Sequence, residues 1–483
     1  MTDASTSAAG PGPGVISEAD VSCRLPLFVM FVSAAVWLVI ASFFGLLSTL
    51  KFHSPNILAD IPSLTYGRVR PAYFNSLLYG FCVQAGLGVT LWLFVKLGRA
   101  KAFHRWIITI GMMLWNLGVT IGIIGILIGD STGFENLEFP YYAAVIMFIG
   151  YLVFGIWTVL TFHRRGERPL FVSQWFLLAG LFWFPWIYST AYLLLTTFPV
   201  RGMAQAVLAW WFSNNLQVVW LGLTGLGTIF YFVPRLTNRE LHSSYLALFV
   251  FWLWLLFASW GGIPGSAPVP AWLPALSTAA TVMLIIPLIA VGINILATLQ
   301  GQCASVKSSV PLQFIVLGFF GFLLAGLMNI GSVLPQSASL LNLTWFTLAK
   351  VHANTYAFFA MAMFGAVYYI LPQLAGGAFC PVKLKVHLWL SIAGILFIIL
   401  PLAIGGLVQG LQLQNPNIAF IDVSNRSLLF LRISTLGDFL IAAGHVVFLI
   451  NIGGLVSAFL KARATVAYSA ATADLFAAAE AES

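Results

Sequence analysis

Lys350 and His352 sit inside an apolar run from about 343 to 371, long enough to cross a bilayer. A charge or an imidazole at that depth is costly, and it marks a cofactor, a proton path or an ion pair. Asp438 and His445 lie inside a later run and share a helix face, being seven residues apart. They are candidates for a polar track through the membrane or for a satisfied pair between helices. Asp438 is also a candidate counter-ion for Lys350. Asn214, Asn215 and Gln217 form a third polar group, able to hydrogen-bond across helices.

The elements that must position these groups are transmembrane helices. Hydrophobic residues make up 60% of the chain and charged residues 7%, with a mean hydropathy of +0.96. Those values exclude an ordinary soluble protein. Apolar runs of about 20 residues recur, and in lipid each satisfies its backbone only as a helix. Twelve are expected: 27–50, 72–97, 106–129, 141–163, 171–198, 204–233, 245–263, 272–298, 310–334, 343–371, 386–410 and 429–460. The reading is therefore an all-α integral membrane protein. One membrane domain covers 27–460, with a disordered cytoplasmic tail at 1–26 and a second tail at 461–483.

The net charge of +8 reads as topology, not as a nucleic-acid surface. Alternate connections are basic: Lys96, Arg99, Lys101 and Arg105; Arg164, Arg165 and Arg168; Arg235 and Arg239; Lys383 and Lys385. The positive-inside rule then puts both termini in the cytoplasm, which an even number of spans satisfies. The start of the chain lacks the basic region and apolar core of a signal peptide. Cys23, Cys82, Cys303 and Cys380 fall within spans or at cytoplasmic ends, which argues against a disulfide framework. There is no Cys-x-x-Cys-His for covalent haem.

Three helix ends look alike, beginning at Gly88, Gly227 and Gly365 and closing at Leu97, Leu236 and Leu374, with intervals of 139 and 138 residues. Four helices per repeat would give pseudo-threefold symmetry about the membrane normal; shared aromatic belts and basic anchors at helix ends would give the same likeness. Counting back 24 and 22 residues from each closing Leu reaches Tyr73 and Asn75, Phe212 and Asn214, and Lys350 and His352. Polar residues thus gather at one level, as a shared cofactor layer would require.

Several blocks carry a family resemblance: Gly67-Arg68-Val69-Arg70-Pro71, Trp210-Trp211, Phe230-Tyr231-Phe232-Val233-Pro234, Trp260-Gly261-Gly262, Val351-His352 and Phe364-Gly365-Ala366-Val367-Tyr368-Tyr369, with Arg432 in the last helix. The chain resembles subunit I of the haem–copper oxidases, specifically the C-type (cbb) cytochrome c oxidases, from about 27 to 460. The resemblance implies a haem b between helices 2 and 10, a second haem on helix 10, and copper held by three His of helices 6 and 7. Carried over by position, His352 matches the helix 10 ligand of the first haem. The remaining ligands fall on Tyr73, on Lys350 for the second haem, and on Asn214, Pro264 and Gly265 for copper. The helix 7 tyrosine falls on Ala258 and the helix 9 glutamate on Met328.

An Asn amide with Pro and Gly does not replace three imidazoles, so copper is not expected. Of the other histidines, His53, His104, His163, His242 and His387 fall in connections or at helix ends, leaving His445. One haem b remains open, on His352 with Tyr73 opposite and Arg68 and Arg70 at its propionates; Tyr ligation is established haem chemistry. The alternative is a haem pocket filled by side chains. Lys350 would then serve as a hydrogen-bonded group or snorkel outward.

Three functions follow from the resemblance. The first is a non-catalytic partner, assembly or electron-relay subunit of a respiratory complex in the bacterial inner membrane. It would work beside other subunits, including a c-type haem protein. The second is an active oxidase or nitric oxide reductase subunit with an altered centre. The third is a pore or transporter using the vacated cavity. Membrane lipid is a partner in all three.

Overall fold

The computed structural model describes residues 18–166 and 169–482. Residues 1–17, most of the expected first tail, lie outside the described residues, as do Arg168 of the second basic connection and Ser483. Helices account for nearly all of the rest. Eleven are long and apolar enough to cross a membrane: α1 (Glu18–His53), α2 (Tyr66–Gly98), α3 (Arg105–Ile128), α4 (Tyr141–His163), α5 (Val172–Thr197), α6 (Met203–Thr237), α8 (Trp272–Leu299), α9 (Val310–Val333), α10 (Trp345–Ala375), α11 (Pro381–Leu413) and α12 (Phe420–Ala470).

Between α6 and α8 lies α7 (Ser244–Ala258), an apolar helix of 15 residues where a span over 245–263 was expected. At about 1.5 Å per residue it covers roughly 22 Å, short of the ~30 Å hydrocarbon core. The chain leaves the helix because the next stretch cannot continue it. Gly262 has φ +96°, and a Cβ there would lie 2.5 Å from Asn214 Cβ. Pro264, Pro268 and Pro270 follow and have no N–H to give.

Starts are marked by side-chain caps. Ser243, Ser309 and Thr344 accept from the backbone N–H of Leu246, Leu312 and Phe346 at the heads of α7, α9 and α10. Two expected boundaries move. Glu18, the first described residue, is already helical within the expected tail, and Asp20 ties that turn to Lys96 Nζ at 2.9 Å. The helix of α12 continues through the expected second tail to Glu482, and residues 461–470 are exposed along it.

Helices α2, α6 and α10 form the centre: 100%, 94% and 83% of their apolar windows are buried, against 39–61% for the other long spans. All three share a local feature. Each opens into a π turn, over Ser76–Val83 in α2, Asn215–Trp220 in α6 and Ala353–Ala360 in α10. The starts at 76, 215 and 353 are again 139 and 138 residues apart, each following Asn75, Asn214 or His352. A π turn inserts one residue into the helical ladder, and such turns recur at functional positions. The π turn of α10 presses against α9, where a Cβ on Gly321 would collide with the Ala357 carbonyl.

Candidate functional site

The layer expected from sequence exists, and side chains fill its first half. His352 is buried, and its ring stacks on Tyr356 (centroids 5.6 Å apart, planes at 15°) and on Phe74 (6.2 Å, 22°). Tyr356 stands four residues along from His352, on the same helix face. Its hydroxyl accepts a hydrogen bond from Tyr73 Oη at 3.0 Å, so Tyr356 crosses the space between α10 and α2. Behind Tyr73 the α1 backbone closes in: a Cβ on Gly45 would meet the phenol ring at 3.0 Å. His352 Nδ1 is buried with no hydrogen-bond partner among the described residues.

The two arginines divide. Arg68 donates from Nη1 to the Leu127 carbonyl at 3.1 Å, an orphan acceptor at the C-terminal end of α3. Arg70 lies over Phe74 (5.1 Å) and Tyr66 (5.9 Å). It lines a cleft of about 250 Å³ with Glu135 and Glu138.

Glu138 belongs to the α3–α4 connection, which folds inward over the centre. Asn75 Nδ2 donates to its carboxylate at 2.7 Å. Asn136 donates to Ser213 at 2.6 Å and its carbonyl accepts from Tyr79. Burial pushes the Glu138 carboxyl up to about 7, against the Asn75 hydrogen bond, which favours the charged form.

On the opposite side of Tyr356 runs a column of polar groups. His445 lies 5.9 Å from Tyr356, centroid to centroid, and its Nδ1 shares a 2.6 Å hydrogen bond with Ser42 of α1. His387 follows at 6.5 Å, paired through Nδ1 with Tyr368 Oη at 2.8 Å; Asn451 donates to the same hydroxyl at 3.4 Å. His387 was expected at a helix end. It is fully buried, because α11 starts at Pro381, five residues before the expected boundary. Asp438 sits against the Thr49 hydroxyl of α1. It does not pair with Lys350, whose Nζ donates to Ser332 of α9 at 3.3 Å.

The second half of the layer is open. Asn214 Nδ2 donates to the Ala258 carbonyl at 2.8 Å. A cavity of about 480 Å³ joins Asn214, Pro264 and Gly265 to Lys350 and Asn329, and an adjoining space of about 380 Å³ shares several of these residues.

These residues do not fit the family's metal groups. Copper would find one amide oxygen, on a side chain whose Nδ2 is held by backbone, and no imidazole at these positions. A haem on His352 would need the gap that the Tyr73–Tyr356 pair crosses. Sequence reasoning missed Tyr356, Glu138 and His387. The i, i+4 spacing from His352 carried a signal for Tyr356; nothing in the spacing pointed to Glu138.

Known proteins bear out the family read from the quoted blocks. The profile described as Cytochrome C and Quinol oxidase polypeptide I matches residues 26–440. A cytochrome c oxidase subunit 1 homolog of Azorhizobium caulinodans is 24% identical over 409 residues, covering 80% of this chain and 72% of the relative. The Cbb3-type cytochrome c oxidase subunit CcoN1 of Stutzerimonas stutzeri is 22% identical over 391 residues, covering 79% of this chain and 82% of that protein. One solved structure, a heme-copper terminal oxidase dimer, aligns with a TM-score of 0.73 at 13% identity, over 91% of this chain and 84% of that one. At that identity the match speaks for the fold alone. With the profile spanning most of its length, this multi-pass membrane protein belongs to the cytochrome c and quinol oxidase polypeptide I family.

Proposed function

We propose that the chain is a non-catalytic relative of C-type oxidase subunit I, serving as a partner or assembly subunit of a respiratory complex. The observation that carries this is the donor set at the copper position: Asn214 offers a single amide oxygen, its Nδ2 being bonded to the Ala258 carbonyl, and Pro264 and Gly265 have no side-chain donor. Fold and function separate easily in such families. The fuller architecture belongs to the same proposal: twelve spans with α7 as the short one, and pseudo-threefold symmetry supported by the evenly spaced π turns. So do a bacterial inner-membrane location, cytoplasmic termini and a c-type haem protein as neighbour. Metal analysis and an optical spectrum of the purified complex test it. Copper below stoichiometry in this chain is expected; one copper or two haems per chain overturns it.

A second reading, an electron relay with a single haem b, draws on the buried, unpartnered Nδ1 of His352. It requires Tyr356 to leave the gap. A Soret band in the native protein that disappears in His352→Ala decides for it.

A further inference from the structure

The non-catalytic reading leaves a built cavity without a task. It lies among α6, α7, α8, α9 and α10, with a volume of about 480 Å³. Its walls combine apolar surface from Val218, Leu284 and Val333 with a few polar groups, the composition of small-molecule sites. Lys350 lines it, and the single hydrogen bond to Ser332 leaves two ammonium protons unspent. Its ammonium forms no ion pair among the described residues. Glu135, an exposed carboxylate at the rim of the same space, is the nearest opposite charge acting on Lys350, but it stays outside ion-pair distance. Asn329 and Trp210 also line the cavity, and neither side chain has a hydrogen-bond partner among the described residues.

A cation held inside a protein within a membrane calls for a counter-charge. The surrounding donors offer hydrogen bonds to an oxygen anion, and the apolar wall accommodates a short hydrocarbon chain. The geometry points to a binding site for a small aliphatic monocarboxylate, its carboxylate on Lys350 with Asn329 beside it and its chain against Val218 and Val333. The inference rests on the reading above, since a copper ion at Asn214 would occupy this space.

The test is equilibrium dialysis of the full chain in lipid nanodiscs against ¹⁴C-butyrate, with copper measured on the same sample. Saturable binding of one butyrate per chain is expected, weakened at least about tenfold in Lys350→Met and in Asn329→Leu, as for a lost charge-assisted contact. Glu135→Gln should hold butyrate equally well or more tightly, because a negative neighbour is removed. Monodisperse elution and an unchanged melting temperature certify each variant's fold. Absence of saturable binding, or binding undiminished in both Lys350→Met and Asn329→Leu, overturns the site. Competition by chloride or nitrate at the same concentration as butyrate overturns the carboxylate assignment, as does weaker binding in Glu135→Gln, which would indicate a zwitterion. Stoichiometric copper defeats the underlying reading, whereas a copper-free protein that ignores butyrate defeats this inference alone.

Discussion

Tyr73 and Tyr356 meet hydroxyl to hydroxyl at 3.0 Å, joining α2 to α10 across the place where the family's first haem would lie. Tyr356→Phe removes the acceptor and should cost about 1 kcal/mol. Tyr356→Ala also empties ring volume and should cost about 3–5 kcal/mol. Thermal unfolding in detergent reads both. Supplied with haemin, Tyr356→Ala should develop a Soret band that the parent and the Tyr356→Ala/His352→Ala double variant lack.

Glu138 makes stability depend on pH. Its carboxyl is raised from 4.5 to about 7, so the folded state binds the proton more tightly than the unfolded chain. That contribution is complete below about pH 4.5 and fades as pH rises through about 7, an effect on the order of 3 kcal/mol. Melting temperatures between pH 4.5 and 7.5 should fall in the parent and stay flatter in Glu138→Gln, whose amide oxygen can still accept from Asn75.

Gly321 lets α9 lie against the π turn of α10. In Gly321→Ala the added methyl collides with the Ala357 carbonyl, so backbone must move. A loss of about 1–3 kcal/mol is expected, seen as a lower melting temperature and as faster proteolysis near α9.

Asn116 ties three helices. It accepts from Trp37 Nε1 at 3.0 Å and exchanges amide bonds with Gln84 at 2.8 and 3.1 Å; Ser33 donates to Gln84 at 2.6 Å. Hydrogen bonds between membrane helices average about 0.6 kcal/mol each. Asn116→Leu should therefore lose roughly 1–2 kcal/mol, and Asn116→Leu with Gln84→Leu should lose less than the sum of the two single variants, as one shared network requires. Chemical unfolding of the four proteins provides the cycle.

The helices were legible because each apolar run has one stable form in lipid. The layer holding Tyr73, Asn214 and His352 was legible because an interval of about 139 residues repeats at three helix ends. Other features depended on the third dimension. The end of α7 is set by Gly262 against Asn214, a contact between separate helices. His387 looked peripheral because its helix was drawn five residues too short, and Pro381 at the first turn was the missed signal. Depth along the sequence puts Lys350 level with Asp438. In three dimensions they address different neighbours, Ser332 and Thr49, on opposite flanks of α10.

The π turns of α2, α6 and α10 divide each rod into two leaves offset by one extra residue, about 100° of rotation. Side chains above the break can be exchanged without altering which faces the lower leaf turns to its neighbours. An imidazole level could thus give way to phenol, amide and amine while the aromatic floor near Trp92, Phe232 and Tyr369 kept its packing. On the non-catalytic reading proposed above, the scaffold behaves as two stacked storeys, of which the upper one has been refurnished.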